Sequence, residues 1–242
     1  MKQPNCNLST KPIPARERLI FALDVSSDEE AKAVVNLLGE SVSFYKIGLQ
    51  LFMAGGYFEL ARWLKERNKR VMVDLKFFDV PETVRLAVAQ LQKYGADFAT
   101  VHGDDNILKA AISEQTGTKI LAVTVLTSLS QGDIDDLGFK VDVKDLVLSR
   151  AKRALAVGCD GVISSGLEAE ALRETLGPNF LIVMPGIRPV KNDDDQKRTV
   201  NVEEAFAKGA DYIVVGRPIS KAPDPQVAAE EIQSKIAAIF GH

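Results

Sequence analysis

The feature that most constrains this chain is a series of short apolar runs, each followed by a longer amphipathic or alanine-rich stretch. The runs are residues 19–25, 44–48, 71–77, 98–101, 120–126, 161–164, 181–184 and 212–215. They are rich in Val, Ile and Phe and close on Asp, Gly, Pro or Ser, as strands buried on both faces of a parallel sheet do. Helix-like stretches lie between them, among them 27–38, 81–94 and 225–240. In the last, Val227, Ile232, Ile236 and Ile239 form an apolar stripe. Eight β-α units without a linker predict an α/β chain with one closed (β/α)8 TIM barrel over residues 19–242. An open doubly wound sheet has the same periodicity, which cannot by itself separate the two. Residues 1–18 are polar, carry Pro4, Pro12 and Pro14 and have no apolar core. They read as a frayed extension, neither signal peptide nor anchor.

Composition narrows the partners. A net charge of −3 over 242 residues argues against nucleic acid or an anionic membrane. An anionic substrate must then be held by a few placed cations. Cys6 and Cys159 form no CxxC pair, so both read as inert thiols in a reducing, cytoplasmic setting. His102 and His242 are the only histidines, too few for a histidine-rich metal centre or an evident Ser-His-Asp triad. His102 reads equally well as a site-lining group or as a satisfied buried histidine. With neither GxGxxG nor GxxxxGK[ST] present, no cofactor is expected.

In a barrel of this kind, functional side chains stand at the C-terminal ends of the strands. Asp24 ends the first run, Lys46 lies in the second, and Asp74 and Lys76 lie in the third. His102 follows the fourth, Thr127 and Ser128 the fifth, and Gly216 and Arg217 the eighth. Strand alternation puts Val71, Val73, Leu75 and Phe77 on one face and Asp74 and Lys76 on the other. The apolar face suits the helical layer, which turns the two charges into the barrel mouth. A structural ion pair plugging the barrel is one reading. Lys46 and Asp24 on neighbouring strands favour catalysis instead.

The segment Asp74-Leu-Lys76-Phe-Phe-Asp79-Val-Pro-Glu-Thr83 resembles the DxKxxD(I/V)PxT signature of the orotidine 5′-monophosphate decarboxylase family. Phe21–Asp24, Tyr45–Gly48, Val101–Gly103, Leu126–Ser128, Pro185–Pro189 and Val215–Pro218 match the family's pattern in the same order, so the resemblance covers roughly residues 19–240. It implies a metal-free, cofactor-free carboxy-lyase of pyrimidine synthesis. In it Asp24 and Lys46 bind the ribose, Asp74 sits near the departing carboxylate, and Lys76 protonates C6. It also implies a homodimer, with Asp79 and Thr83 reaching into the partner's site. Phe78, Val80 and Glu82 depart from the residues of many bacterial members, which bears on substrate detail rather than on the charged array.

The seventh and eighth runs end in Pro185-Gly-Ile-Arg188 and Gly216-Arg217, the usual place of a barrel phosphate site. Gly186 and Gly216 let backbone N–H groups approach an anion, and Arg217 offers a bidentate fork. Arg188 also reads as a solvated surface arginine. The polar stretch after it reads as a lid, in which the resemblance assigns Gln196 a substrate contact. Asp193–Asp195 read as a solvated turn, not a metal site. Thr127 and Ser128 suit either pyrimidine contacts or caps.

Two rivals share part of this pattern. The 3-keto-L-gulonate 6-phosphate decarboxylase or hexulose-phosphate synthase type resembles this chain in DxKxxD, but uses Mg2+ and has an acidic residue where Lys46 stands. A lysine there repels a cation that prefers carboxylate oxygen. A noncatalytic phosphosugar-binding barrel has no reason to bury Lys46, Asp74, Lys76 and Asp79 together.

Overall fold

The computed structural model describes residues 7–188 and 200–241. Strands β1 (Leu19–Ala22), β2 (Phe44–Gly48), β3 (Arg70–Phe77), β4 (Phe98–His102), β5 (Lys119–Val123), β6 (Gly161–Ile163), β7 (Leu181–Met184) and β8 (Tyr212–Val215) pair in parallel, in chain order. The barrel closes through β1 against β8, from Leu19–Ile213 to Phe21–Val215. The open-sheet alternative is thereby removed. Three runs end earlier as strands than in the sequence reading, β6 by one residue. β1 stops at Ala22, opposite Lys46, and β5 stops at Val123, so residues 124–126 climb out of the ladder toward the mouth.

Helices α1 (Asp28–Leu38), α2 (Leu49–Ala54), α3 (Tyr57–Glu66), α4 (Pro81–Leu91), α5 (Asp105–Ile112), α6 (Gln131–Asp136), α7 (Val143–Val157), α8 (Ala169–Leu176), α9 (Val202–Ala207), α10 (Arg217–Ser220) and α11 (Pro225–Phe240) form the outer layer. Their starts follow local chemistry. Ser27 accepts from the Glu30 N–H, Asp104 from those of Asn106 and Ile107, and Asp224 from that of Val227, each satisfying donors the first turn leaves open. The expected helix over 81–94 ends as α4 at Leu91 and finishes in a 3-10 turn, Gln92–Tyr94. The stripe expected on α11 needs one correction. Ala229, Ile232 and Ile236 are buried and Ile239 packs at their edge, but Val227 is exposed. Val227 sits in the first turn, before the helix meets the barrel wall.

Strand residues facing outward, such as Val71, Val73, Ala99 and Val101, join the helices in one large apolar cluster. Inward-facing residues form a second cluster: Ile20, Phe44, Met72, Phe98, Leu121, Leu181, Val183, Tyr212 and Val214 among others. At its heart Phe44, Phe98 and Tyr212 meet edge to face at 5.1–5.9 Å. This inner cluster fills the barrel from below and leaves the mouth to polar side chains.

Residues 7–18 do not behave as a frayed tail. Ile13 packs on the inner cluster, and Arg18, almost wholly buried, lies over the Phe240 ring at 3.7 Å. Below the barrel, the fully buried Asp211 carboxylate accepts from Ser9 (2.5 Å), Lys11 (3.0 Å) and Arg173 (2.6 Å). It also accepts from the Ile182 N–H at 2.9 Å. The extension thus closes the floor by ion pairing, which polarity alone does not announce. Cys159 is buried on the helical side, where burial and then Asp160 push its thiol up to about 12 and keep it inert. Cys6 lies outside the described residues.

Replacing Asp211 with alanine strands the buried Arg173 guanidinium and leaves the part-buried Lys11 without its carboxylate, and removing one partner of such a buried pair costs about 3–5 kcal/mol. Denaturant unfolding of Asp211→Ala is expected to show a loss of that order, with cleft chemistry unchanged in the residual folded protein. A loss below about 1 kcal/mol, the level of a surface pair, contradicts the role given to this network.

Candidate active site

Each inward face of β2, β3 and β4 changes from apolar to polar as it climbs. β2 runs from Phe44 to Lys46 to Gly48, β3 from Met72 to Asp74, and β4 from Phe98 to Thr100 to His102. The result is a line of alternating charges across the mouth. Lys46 Nζ lies 2.9 Å from Asp24 Oδ1 and 3.6 Å from Asp74 Oδ2, and Lys76 Nζ lies 2.9 Å from Asp74 Oδ1. Asp74 and Lys46 are largely buried, whereas Asp24 opens to solvent. Gly48 makes room for this line, since a Cβ there would stand 3.3 Å from Lys46 Nζ.

Burial alone pushes the Asp74 carboxyl up. The ammoniums of Lys46 and Lys76, with hydrogen bonds from Lys76 and Thr100, outweigh it and hold the group below the ordinary carboxylate range. Asp74 is therefore an anion at neutral pH. His102 is shifted down by burial first, then by Arg150 and Lys76, and is neutral there. Its ring faces Phe78 at 5.2 Å, and its buried Nδ1 finds no hydrogen-bond partner among the described residues. It is therefore not the satisfied buried histidine of the sequence reading, nor does it line the cleft.

The cleft above the inner cluster has a volume of about 240 Å³, room for one small ligand rather than a polymer. Asp24, Lys46, Asp74 and Lys76 line one side. Thr127, with Val125 and Leu126, also lines the cleft, as do Gly186 and Arg188 beyond β7 and Gly216 and Arg217 beyond β8. Gly186 has a φ of 80°, a conformation side chains disfavour. The cleft thus holds both an alternating line of charge on β2 and β3 and two guanidiniums beyond β7 and β8, a set suited to a ligand with a reacting group and an anionic group. Among the described residues, no group of three His, Cys, Asp or Glu side chains could hold a metal ion.

Not every expected residue meets the cleft. Asp79 and Thr83 are exposed at the rim, and Asp79 accepts from the Val80 N–H at 2.6 Å instead of approaching Lys76. Gln196 and Asp193–Asp195 lie outside the described residues. Ser128 is exposed beside Thr127.

The comparisons with known proteins agree with this geometry. The model of the Orotidine 5'-phosphate decarboxylase / HUMPS family matches residues 17–232, nearly the whole barrel. The chain belongs to this family. It is 60% identical to an orotidine 5'-phosphate decarboxylase of Methylococcus capsulatus, over 96% of this chain and 97% of that protein. It is 51% identical to one of Xanthomonas campestris, again over 96% and 97%. The crystal structure of orotidine 5'-phosphate decarboxylase from Lactobacillus acidophilus superposes with a TM-score of 0.81 at 36% identity, covering 91% of this chain and 99% of that one.

Within the family, this chain's departures turn away from the cleft. Phe78 and Val80 are exposed, and Glu82 is drawn to Arg85 at 2.7 Å. What the sequence reading missed is Thr100. Fully buried, it donates to Asp74 Oδ1 at 2.9 Å and accepts from the Lys76 N–H at 3.0 Å. A polar residue two positions after the inward Phe98 was the available signal.

The depressed Asp74 carboxyl gives a pH signature. Its folded pKa lies below its unfolded value, so its contribution is present above about pH 3.9 and lost as pH falls through the folded value. The difference in Tm between wild type and Asp74→Asn is expected to stay constant from about pH 8 to about pH 5 and to shrink below about pH 4. A difference that already shrinks between about pH 7 and pH 5 means the carboxyl is not depressed.

Proposed function

We propose that this chain decarboxylates orotidine 5′-monophosphate to uridine 5′-monophosphate in pyrimidine synthesis, with Lys76 as the proton donor. The observation that carries the reading is the line Asp24–Lys46–Asp74–Lys76, with its lysine at position 46, in a chain 60% identical to a protein bearing that activity's name. The family's name spans a second branch. A lysine bonded between two carboxylates fills that position with the protein's own cation, which disfavours the Mg2+-dependent alternative.

The chemistry follows from charge. Breaking the bond from C6 to the carboxylate releases CO2 and leaves an electron pair in the ring plane, where π-delocalisation does not reach it. An ammonium already fixed beside that carbon stabilises the pair and then transfers a proton to it. Lys76 becomes a neutral amine and regains its proton from solvent. Asp74 crowds the departing carboxylate, while Asp24 and Lys46 take the ribose hydroxyls and Thr127 the pyrimidine. Gly216 and Arg217 take the phosphate, with Arg188. In this reading Gln196, which lies outside the described residues, also contacts the substrate, and phosphate binding contributes to transition-state stabilisation. The reaction needs no cofactor. The catalytic unit is residues 19–242, with 1–18 as its extension, and it works in the cytoplasm. Among the described residues, no helix is long and apolar enough to cross a membrane.

The working form in this proposal is a homodimer in which Asp79 and Thr83 enter the partner's cleft. Two features support it. Asp79 stands exposed at the rim of its own barrel between the exposed Phe78 and Val80, and α2 and α4, the helices that follow β2 and β3, expose Phe52, Met53 and Leu86.

Loss of orotidine 5′-monophosphate, followed by ultraviolet absorbance, tests the activity. Lys76→Ala is expected to lower kcat by at least about 10²–10⁴-fold, the range for losing a positioned proton donor, with an unchanged circular dichroism spectrum. EDTA treatment and added Mg2+ are expected to change nothing. Near-normal turnover by Lys76→Ala rejects its role, and a Mg2+ requirement moves the chain to the other branch.

Subunit mixing tests the shared site. In a heterodimer of Lys76→Ala with Asp79→Ala, one site carries both lesions and the other neither. Random exchange makes about half the dimers mixed, so about a quarter of all sites regain activity. Activity that stays at the mutants' level after exchange is confirmed by mass spectrometry rejects the arrangement.

A further inference from the structure

β3 and β4 keep register through Met72–Phe98 and Val73–Ala99, lose it, and resume at Phe77–Val101. Between the last two pairs, β3 uses Asp74, Leu75 and Lys76 where β4 has Thr100 alone. The surplus is absorbed at Lys76, whose φ of 48° lies in a region that a lysine in a strand avoids. Lys76 pairs with no residue of β2 or β4, so its N–H has left the ladder. A buried donor without an acceptor is costly, and here the Thr100 hydroxyl supplies one at 3.0 Å. The same hydroxyl donates to Asp74 Oδ1 at 2.9 Å, the oxygen that also accepts from Lys76 Nζ at 2.9 Å. One side chain therefore ties the backbone of Lys76 to the carboxylate that holds its ammonium.

We infer that Thr100 is a positioning residue for the reaction: it fixes the bulged backbone of Lys76 and the rotamer of Asp74 together, so that the ammonium stands where the proton is delivered. It touches no substrate. Nothing else among the described hydrogen bonds accepts from the Lys76 N–H. Without the hydroxyl, the Lys76 N–H loses its acceptor and Asp74 loses a donor, so neither the bulged backbone nor the carboxylate that holds the ammonium is fixed in place. Misplacement of a reacting group by about 1 Å costs about 10²-fold in rate.

This inference rests on the reading of Lys76 as proton donor, and the experiment separates the two. Steady-state kinetics on orotidine 5′-monophosphate are compared for wild type, Thr100→Val, Thr100→Ala, Thr100→Ser and Lys76→Ala. Thr100→Val keeps the volume and loses both hydrogen bonds; its kcat is expected to fall about 10–100-fold with KM within about threefold. Thr100→Ser keeps the hydroxyl and is expected to restore kcat to within about threefold of wild type. A threonine that merely supports the fold lowers Tm without this split. If Thr100→Val does not fold, Thr100→Ala carries the same expectation without the branched side chain. The inference is overturned if the folded hydroxyl-free variant keeps a wild-type kcat, if its loss appears in KM instead, or if serine fails as badly as valine. Wild-type turnover by Lys76→Ala overturns the underlying reading, whatever the Thr100 variants do.

Discussion

The site hangs on one buried carboxylate. Asp74 is shared by two ammoniums and one hydroxyl, Lys46 on β2, Lys76 further along its own strand, and Thr100 on β4. Burying that charge alone costs several kcal/mol, and the three donors make it tolerable. They also make it rigid. Because each donor comes from a different place on the barrel wall, Asp74 cannot turn without breaking a contact to a neighbouring strand. Lys46 in turn binds Asp24, two residues past the end of β1, so three of the four charged side chains stand on strands and the fourth is tied to one of them. Groups that must act on a reacting carbon benefit from this kind of preorganisation.

The rest of the barrel makes the arrangement affordable by division of labour. Its interior is apolar below, where Phe44, Phe98 and Tyr212 interlock, and polar above, beginning one inward residue later on three adjacent strands. The boundary falls between Phe44 and Lys46, Met72 and Asp74, and Phe98 and Thr100. Beneath the aromatic cluster lies a second ionic assembly, around Asp211. It has the opposite character: its central carboxylate is closed from solvent, bonded at both oxygens and anchored by residues 9, 11 and 18 ahead of the first strand. The floor seals the barrel, while the mouth keeps a face of each charge toward the cleft.

The bulge in β3 links architecture to chemistry. A regular strand would alternate Asp74 and Lys76 on the same face and keep both amides in the ladder. The observed strand gives up register between Val73 and Phe77, puts Lys76 at positive φ, and offsets the lost ladder bond with Thr100. Strain of this kind persists only where the surroundings over-determine it.

Much of this was legible in one dimension. Hydrophobic periodicity gave the strand-helix alternation, and the Asp74-Leu-Lys76 spacing on an otherwise apolar strand pointed to charges at the mouth, because a buried strand tolerates ionised groups only where they are paired. The helix starts at Ser27, Asp104 and Asp224 are equally local, since a cap depends on its own first turn. Other features needed the fold. That β8 closes on β1 depends on the summed twist and stagger of eight strands, which periodicity does not record. Arg18 and Lys11 reach the Asp211 group across some two hundred residues of chain. Val227 fits the stripe on paper but precedes the contact with the wall. Thr100 is an ordinary strand threonine until β3 slips beside it and leaves an N–H without a partner. The sequence by itself determined which residues carry charge and which faces they share, because side-chain chemistry and alternation are local. Only the tertiary structure decided which of those residues meet and what holds them, because hydrogen-bond partners on neighbouring strands are chosen by register, and register belongs to the closed barrel as a whole.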